Sequence, residues 1–465
     1  MSSDVPHRPV ARRLTLPFTG PTSGRGPATW GQTAIRRALR ALEPDDHQFN
    51  VDWGGPVDGE LPLDTALTAL AGLMGVHDSL RTLLHEMPDG TYAQELHAGG
   101  ELDVHVVEAD DAEDVVAAVA DALHQELYGR PFDYAREWPL RAGLVTRGGL
   151  VRHAVFTVSH TAVDGWGLPR LREDLASLVA GADAVRLREG RAMCGPLEEA
   201  AHQRSRTALR RDESARSFIL RNLAQAPARL YGEPADAPAD GPRYRQAVLH
   251  CPGLDAAADA TAGRLGVTSS TVLLAAACAA SARSADRSDF VFQVMVNNRF
   301  VPGLADVVAP VALESVLYVP DCTGPMEALV PRIWKASVNT YRFAYYDKDR
   351  LTEQLRDVSA ADTTCWFNDR RGVAVLPSGA TDGAGEGAGE GAGGEGRLTW
   401  SVPSDRQGGT TLALHVLDAP GGLDLSLTAD TTRLTPETMA ELLRTMERLV
   451  VSTDTSAPAD GTVPR

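Results

Sequence analysis

The stretch that most constrains the fold is residues 159–167, with the sequence SHTAVDGWG. It follows residues 151–158, a run rich in β-branched side chains that predicts a buried strand. Residues 168–175 come next, and their early proline and spaced leucines predict a helix. His160 is therefore expected where a strand ends and a tight turn begins.

Two interpretations of this turn are open from the residues alone. A histidine followed by Asp164 and Gly165 suits a general base, because its ordinary pKa lies near neutrality. Gly165 is expected to permit a backbone conformation closed to other residues. The alternative is a histidine that only packs within the fold.

The composition excludes several classes of function. The 465 residues suffice for two or three domains, and the net charge of −17 argues against nucleic acid as a general partner. We find no apolar run of membrane-spanning length and no secretory signal. The five cysteines show no metal-ligand spacing. We expect a cytoplasmic protein without a structural metal.

The chain order predicts an α+β protein with two halves. We expect an N-terminal subdomain at residues 15–180, a helical and linker connection at 181–243, and a C-terminal subdomain at 244–452. Residues 378–396 are a Gly-Ala-Glu insert, whose composition predicts mobility. Residues 1–14 are expected to be a flexible lead-in.

The sequence pattern makes four further local predictions. Residues 139–145 should form the hairpin partner of the strand before His160. A polar loop is expected between Pro44 and Leu63, and one long helix from Leu329 to Tyr346. The arginine-rich stretch at 204–221 is predicted to be a solvated helix face, with a docking patch as the alternative.

Three motifs carry a resemblance to a known family. The pattern His160-x-x-x-Asp164-Gly165, with Ser159 before the histidine, resembles the HHxxxDG signature of condensation domains of nonribosomal peptide synthetases. Residues 77–82, HDSLRT, are similar to a second signature, RHExLRT, with an aspartate for the glutamate.

The third motif follows a predicted strand at 289–296. There, Asn297, Asn298 and Arg299 resemble the family's polar loop. The GxFVN segment that usually follows is replaced by Ala-Pro-Val-Ala at residues 309–312.

This resemblance implies a fold of two chloramphenicol-acetyltransferase-like subdomains arranged in a V, with a channel between them. Each subdomain would combine helices with a mainly antiparallel mixed sheet. It also implies an acyltransferase that takes an acyl thioester from a carrier protein and forms an amide or ester. The donor would sit on the phosphopantetheine arm of a separate carrier protein. No bound cofactor is expected.

The resemblance also implies a role for each site residue. His160 would accept the proton of the attacking nucleophile or hold that nucleophile in line. Asp164 would face inward and form a structural ion pair, with Arg299 as the first candidate and Arg81 as the second. Ser159 would be a tolerated small residue, since no GxSxG nucleophile motif surrounds it.

Backbone groups and a second strand would complete the site. The N–H groups of Gly165 and Trp166 would stabilise an oxyanion. Trp366 and Asn368 would line the channel. The acceptor would be a small molecule or carrier-bound, and the enzyme a monomer without nucleic-acid or membrane partners.

Two other functions stay open. The same base would serve a related HxxxD acyltransferase that takes its acyl donor from coenzyme A. A catalytically silent recruitment domain is the third possibility, favoured by the missing GxFVN segment. Comparing carrier-linked with coenzyme-A-linked donors separates the two enzymes.

Overall fold

The computed structural model describes residues 10–109, 113–189, 195–235, 242–356, 361–372, 396–401 and 409–455. The chain forms two compact units. The first contains Met1–Leu209 and Asn297–Ala312, and the second contains Arg210–Val296, Leu313–Gly372 and Thr381–Arg465, each as far as it is described.

The first unit is built on a mixed sheet. Its elements in chain order are β1 (Val10–Thr19), β2 (Gly24–Pro27), α1 (Trp30–Leu42), β3 (Val51–Pro62), α2 (Leu63–Val76), β4 (Thr82–Glu86), β5 (Tyr92–Leu96), β6 (Gly99–Glu108), α3 (Glu113–Tyr128), β7 (Leu140–Arg147), β8 (Leu150–Val158), α4 (Leu168–Val179), α5 (Ala184–Glu189) and α6 (Pro196–Gln203). Among the described residues, the larger sheet has the order β1-β6-β7-β8-β3, and a smaller one has the order β2-β5-β4. In the larger sheet β6 and β7 are parallel and the other neighbours antiparallel.

The core of this unit fixes the position of the turn after β8. Leu70 and Leu73 of α2 pack in one cluster with Leu168 and Leu171 of α4 and with Val158, the last residue of β8. All five side chains are buried. The turn at 159–167 is therefore held at both ends by the same hydrophobic core.

The second unit is also built on a mixed sheet. It contains α7 (Arg206–Leu223, from Arg210 onward), β9 (Tyr244–Pro252), α8 (Leu254–Leu265), α9 (Ser269–Ser284), β10 (Phe290–Val296), β11 (Leu313–Val319), α10 (Met326–Arg342), α11 (Lys348–Leu355), β12 (Cys365–Asp369), β13 (Arg397–Ser401), β14 (Leu412–Ala419), β15 (Gly422–Asp430) and α12 (Pro436–Thr455). The sheet order, over the part of the chain that the structure describes, is β11-β10-β12-β14-β15-β9-β13. Strand β12 runs parallel to both β10 and β14, and the other pairs are antiparallel.

Helix α9 is the central helix of the second unit. Thr268 caps it by accepting a hydrogen bond from the N–H of Thr271, and residues 271–282 are all buried. Small alanine side chains let neighbouring elements pack closely on every side of this helix. Both units thus combine helices with mainly antiparallel mixed sheets, which confirms the predicted α+β class.

The strand before the turn has the predicted partner. Leu140 to Arg147 pairs antiparallel with β8 along its whole length, as the sequence indicated. Two other predictions at the first sheet were wrong. Residues 10–14 are not a flexible lead-in, because they belong to β1 and pair with β6. The expected polar loop before Leu63 contains β3, which pairs with β8.

Both errors have the same cause. Strands β1 and β3 are the two edges of the larger sheet, and most of their residues are not buried. An edge strand often lacks a clear hydrophobic pattern, and its partner lies far along the chain. In β3, Gly54 is needed because a Cβ there would lie 2.2 Å from the carbonyl oxygen of Ala154.

The predicted long helix from Leu329 to Tyr346 is two helices. Helix α10 ends at Arg342, and α11 begins at Lys348. Asp347 separates them, because its side chain accepts hydrogen bonds from the N–H groups of Asp349 and Arg350 and caps the second helix. Residues 378–395 of the predicted mobile insert lie outside the described residues.

The division of the chain differs from the predicted boundaries at two places. The predicted connection at 181–243 is split within α7, with residues up to Leu209 in the first unit. Residues 297–312, predicted within the C-terminal half, group with the first unit. This segment stands between β10 and β11, two strands of the second sheet, and it supplies part of the site described below.

No single helix among the described residues is long and apolar enough to cross a bilayer. Helices α8 and α9 reach that length and apolarity only when they are taken together, and they are bent by 104° relative to each other.

Candidate functional site

Ser159 closes the turn that follows β8. Its N–H donates to the carbonyl oxygen of Pro139 at 3.0 Å, and its own carbonyl accepts from the N–H of Ala162 at 2.9 Å. The Ser159 hydroxyl accepts from the N–H of Thr161 at 3.2 Å and lies 2.8 Å from the Thr161 hydroxyl. Ser159 is buried, so it shapes the backbone on both sides of His160.

His160 occupies the first position of this turn. Its side chain is only half-buried, whereas Val155 to Ser159 before it are all buried. The ring of Phe49 lies beside the imidazole, with the ring centroids 6.1 Å apart. The strand therefore ends by presenting an imidazole that a reactant can reach.

Asp164 points into the protein. The carboxylate is 2% exposed and accepts two parallel hydrogen bonds from Arg299. Nη2 lies 2.8 Å from Oδ1, and Nη1 lies 3.1 Å from Oδ2. This bidentate geometry is the strongest form of an arginine–carboxylate pair.

Three backbone N–H groups complete the shell around the Asp164 carboxylate. Gly167 donates to Oδ1 at 2.8 Å, and Val311 and Ala312 donate to Oδ2 at 3.1 and 3.0 Å. A Cβ at Gly167 would lie 3.0 Å from Nη2 of Arg299, so this position favours glycine. The arrangement assigns Asp164 to the support of the turn, separately from His160.

The segment 297–312 is shaped around this ion pair. The guanidinium of Arg299 also donates to the carbonyl oxygens of Asn297 at 3.4 Å and Val307 at 3.1 Å. Asn298 is buried with a positive φ of 55° and donates from Nδ2 to the carbonyl oxygen of Val311 at 2.9 Å. Sequence reasoning gave Asn298 and Val311 no role. The double asparagine before the arginine was the available signal, because asparagine tolerates left-handed backbone.

Arg81 belongs to a different cluster from Asp164. It is fully buried and donates to Asp78 Oδ1 at 2.5 Å and to the carbonyl oxygen of Met74 at 2.8 Å. Burial lowers the pKa of Arg81, and the charge of Asp78 opposes that shift. A Cβ at Gly20 would lie 2.1 Å from its guanidinium carbon. Arg81 therefore supports the fold, and the alternative pairing with Asp164 is not present.

A second buried pair was missed by sequence reasoning. Nε2 of His77 lies 3.0 Å from Oδ2 of Asp174, and both side chains are almost fully buried. His77 follows the end of α2, and Asp174 lies in α4 directly after the turn. The pair thus holds α4 in place, but no local pattern connects residues so far apart in the chain.

Gly165 and Trp166 are both half-buried. Among the described residues, neither backbone N–H has a hydrogen-bond acceptor. Gly165 does not use the left-handed backbone that a glycine permits, because its φ is not positive. The turn is closed instead by the hydrogen bonds of Ser159 and Asp164.

Trp366 and Asn368 lie on β12 in the second unit. The buried residues Cys365 and Phe367 alternate with them and belong to the core of that unit. Trp366 and Asn368 therefore project from the opposite face of the sheet, and both are half-buried.

The described residues contain no group of three or more histidine, cysteine, aspartate or glutamate side chains that could hold a metal ion. Four cysteines, at positions 251, 278, 322 and 365, are free and buried.

The Condensation domain family matches residues 32–356, which is more than half of the chain. A probable non-canonical nonribosomal peptide synthetase, CymA, from Salinispora arenicola (strain CNS-205) is 28% identical over 330 residues. The match covers 68% of this chain and 4% of the relative. The chain thus spans only a small fraction of the curated relatives that it matches.

Solved structures share the fold. The condensation domain that mediates chain release from the enacyloxin polyketide synthase superposes with a TM-score of 0.71 at 18% identity, covering 96% of this chain and 86% of that one. The epimerization domain from the third module of tyrocidine synthetase B gives a TM-score of 0.69 at 14% identity, covering 94% and 98%. The fold alone therefore does not fix the reaction. Because the family match covers more than half of the chain, the chain belongs to the Condensation domain family.

Proposed function

We propose that this protein is a condensation enzyme that transfers an acyl or aminoacyl group from a carrier-protein thioester to an amine or hydroxyl acceptor. The observation that carries the proposal is the accessibility of His160 within a turn whose other polar side chains bond inward. Ser159 and Asp164 are engaged in supporting the backbone. His160 is the partly exposed titratable side chain of the motif, and we assign the proton transfer to it.

The chemistry needs little more than positioning and one proton transfer. A thioester is already activated, so the nucleophile attacks its carbonyl carbon and the carbon–sulfur bond then breaks. His160, as a neutral imidazole, accepts the proton from the attacking N–H or O–H group, and the thiolate leaves with a proton in return. General-base assistance of this kind contributes about 10²–10⁴-fold. Holding both reactants in line supplies a further large share of the rate.

The turn also offers groups for the charge that develops on the carbonyl oxygen. The N–H groups of Gly165 and Trp166 are without protein acceptors among the residues that the structure describes. Two backbone donors at a developing oxyanion resemble the arrangement that stabilises tetrahedral intermediates in other acyl transfers. We assign this role to them within the proposal.

The donor is proposed to arrive on a carrier protein. The 465 residues contain no Gly-Gly-x-Ser attachment motif for phosphopantetheine. The thioester is therefore supplied from outside these residues, on the arm of an acyl or peptidyl carrier. We expect the acceptor to be a small molecule or a second carrier-bound group.

The test compares wild type with His160→Ala on an acyl-carrier thioester and a pool of amines and alcohols. The variant should lose about 10²–10⁴-fold in turnover. His153→Ala is the matched control, because His153 is also a half-buried histidine and lies in β8, the strand before the turn. It should retain wild-type turnover. Replacing the carrier thioester with the coenzyme A thioester should abolish turnover if the carrier is the true donor, and efficient use of coenzyme A would indicate the related acyltransferase.

A silent recruitment domain is the second candidate, favoured by the replacement of GxFVN at residues 309–312. In this chain the N–H groups of Val311 and Ala312 bind Asp164, so the replaced segment still supports the motif turn. Equal and near-zero turnover by wild type and His160→Ala would support recruitment and contradict catalysis.

A further inference from the structure

Two consecutive arginines directly after β12, Arg370 and Arg371, have different surroundings. Arg371 donates to both oxygens of Asp369 at 2.9 and 2.7 Å and to the hydroxyls of Ser269 and Ser270. Arg370 is also half-buried, yet its guanidinium has no hydrogen bond or ion pair with any described residue. A desolvated charge without a counter-ion is expensive to keep in a folded protein.

The position of Arg370 is fixed by its backbone. Its N–H donates to the carbonyl oxygen of Val416 at 2.9 Å, which extends the pairing of β12 with β14 by one residue. Burial lowers the pKa of Arg370, and no carboxylate opposes that shift. Among the residues that the structure describes, the guanidinium therefore lacks the anionic partner that an arginine in such surroundings normally has.

Two further polar groups beside it are unsatisfied. Asn368 and His415 stand opposite each other in the register of β12 and β14, so their side chains share one face of the sheet. Oδ1 of Asn368 and Nδ1 of His415 are both closed off from solvent, and neither has a partner among the described residues. Buried polar atoms of this kind are few in native proteins, and each calls for a partner such as a bound molecule or ion.

The positive charge of Arg370 acts on His415. Burial and the positive charge of Arg370 lower the pKa of His415 to about 4, so the imidazole is neutral at neutral pH. The cluster thus carries one net positive charge. The half-buried indole of Trp366 lies two residues before Asn368 on the same face and adds an apolar surface.

We propose that this face of the second unit's sheet binds a small-molecule carboxylate, with Arg370 as its anion-binding group and Asn368 and His415 as polar neighbours. A guanidinium binds a carboxylate through two parallel hydrogen bonds. The orphan oxygen of Asn368 accepts a hydrogen bond, so the ligand also presents an N–H or O–H group. Amino acids and hydroxy acids combine these features. That this ligand is the acceptor of the condensation rests on the proposed function.

A phosphate is the other oxyanion that could reach Arg370, for example from a phosphopantetheine arm. Phosphate sites usually gather several donors, whereas this cluster offers a single cation beside a solvent-shielded acceptor oxygen. The observations therefore favour a carboxylate, and phosphate is included as a separate probe.

The test is equilibrium binding by titration calorimetry to the full chain without an acyl donor. The probes are phenylalanine, lactate and benzoate, with methyl benzoate as the uncharged isostere and inorganic phosphate as the competing oxyanion. At least one carboxylate should bind wild type, and Arg370→Gln should weaken it about ten- to a hundred-fold. Methyl benzoate and phosphate should bind no better to wild type than to the variant. Arg397→Gln is the control for net charge, because Arg397 is an exposed residue of β13 in the same sheet.

A stability measurement separates a ligand site from a structural role. Arg370→Gln should leave the melting temperature unchanged or raise it, since an unpaired charge is removed, whereas Arg371→Gln should lower it. Binding of every carboxylate unchanged in Arg370→Gln, no carboxylate binding to wild type, preferential binding of phosphate, or a fall in the melting temperature of Arg370→Gln would each overturn the proposal. Because no turnover is measured, this binding test gives its result even if the proposed catalysis fails.

Discussion

At the scale of single residues, Asp164 shows how a charge is kept inside this fold. Its carboxylate is surrounded by the Arg299 guanidinium and three backbone N–H groups. A buried carboxylate is tolerated only when such donors replace its hydration. The same carboxylate fixes the turn that presents His160, so its removal affects stability first and rate second.

We predict that Asp164→Ala destabilises the protein by about 3–5 kcal/mol, because it leaves Arg299 as an uncompensated buried charge. The free energy of unfolding, measured in urea, tests this. Asp103→Ala is the matched control, since Asp103 pairs with Arg13 at 3.7 Å on the surface with more than half of each side chain exposed. That variant should change stability by less than about 1 kcal/mol. A wild-type unfolding curve for Asp164→Ala together with lost turnover would refute the structural assignment.

The lowered pKa of His415 gives a prediction about how stability depends on pH. The pKa of His415 falls to about 4 because of burial and the charge of Arg370. Between pH 6.5 and about 4 the unfolded chain takes up a proton that native His415 does not, so stability falls as the pH falls through this window. We expect His415→Gln to reduce the loss of melting temperature between pH 7 and pH 4.5, as measured by calorimetry.

His124 provides the comparison of opposite sign. Nε2 of His124 lies 2.8 Å from Oδ2 of Asp52, and its hydrogen bond to this carboxylate raises the pKa of His124. Its stabilising contribution is therefore complete below pH 6.5 and is lost as the pH rises through the raised pKa. His124→Gln should destabilise the protein more at pH 5.5 than at pH 8.5. Identical pH profiles for the two variants would contradict both assignments.

At the scale of elements, helix α1 shows how closely the segment 297–312 is packed. Thr29 and Gln32 form a capping box at the start of this helix. Gly31, in its first turn, faces the carbonyl oxygen of Pro310, and a Cβ there would lie 1.5 Å from that oxygen. Glycine is a poor helix former, so its presence here reflects the close approach of backbone to backbone.

We predict that Gly31→Ala lowers the free energy of unfolding by about 1–3 kcal/mol, although alanine favours a helix, because Pro310 must move. Thermal and urea unfolding measure the change. Gly263→Ala in α8 is the control, since nothing lies within 4 Å of its Cβ position. It should be neutral or stabilising by up to about 1 kcal/mol. A stabilised Gly31→Ala would show that α1 does not approach Pro310 in solution.

At the scale of the whole molecule, the chain order and the compact units do not coincide. Residues 297–312 belong to the first unit although they stand between two strands of the second. They provide Arg299 and the N–H groups of Val311 and Ala312, which together satisfy most of the Asp164 carboxylate. The first unit is therefore incomplete without a segment encoded much later in the chain.

We predict that a fragment of residues 10–209 does not unfold cooperatively, because Asp164 is left without these donors. Circular dichroism during thermal unfolding tests this. Joining residues 297–312 to the fragment through a flexible Gly/Ser linker should sharpen the transition. Equal cooperativity of the two fragments would show that the segment is dispensable for the first unit.

The sequence alone identified the features that are local. Strand β8, the turn and helix α4 follow from the periodicity and the turn residues at 151–175. The motif around His160 predicted the family, and the family match confirmed that prediction. Asp164 and Arg299 could be named in advance because the family motif points to them, although 135 positions separate them.

Only the tertiary structure decided which distant groups meet. Edge strands β1 and β3, the pair of His77 with Asp174, and the backbone donors of Val311 and Ala312 depend on partners far along the chain, which local propensity cannot indicate. The clearest case is Arg370 beside Arg371. The two are the same residue type side by side, yet Arg371 pairs with Asp369 whereas Arg370 has no ion pair with a described residue and lies beside the unsatisfied atoms of Asn368 and His415.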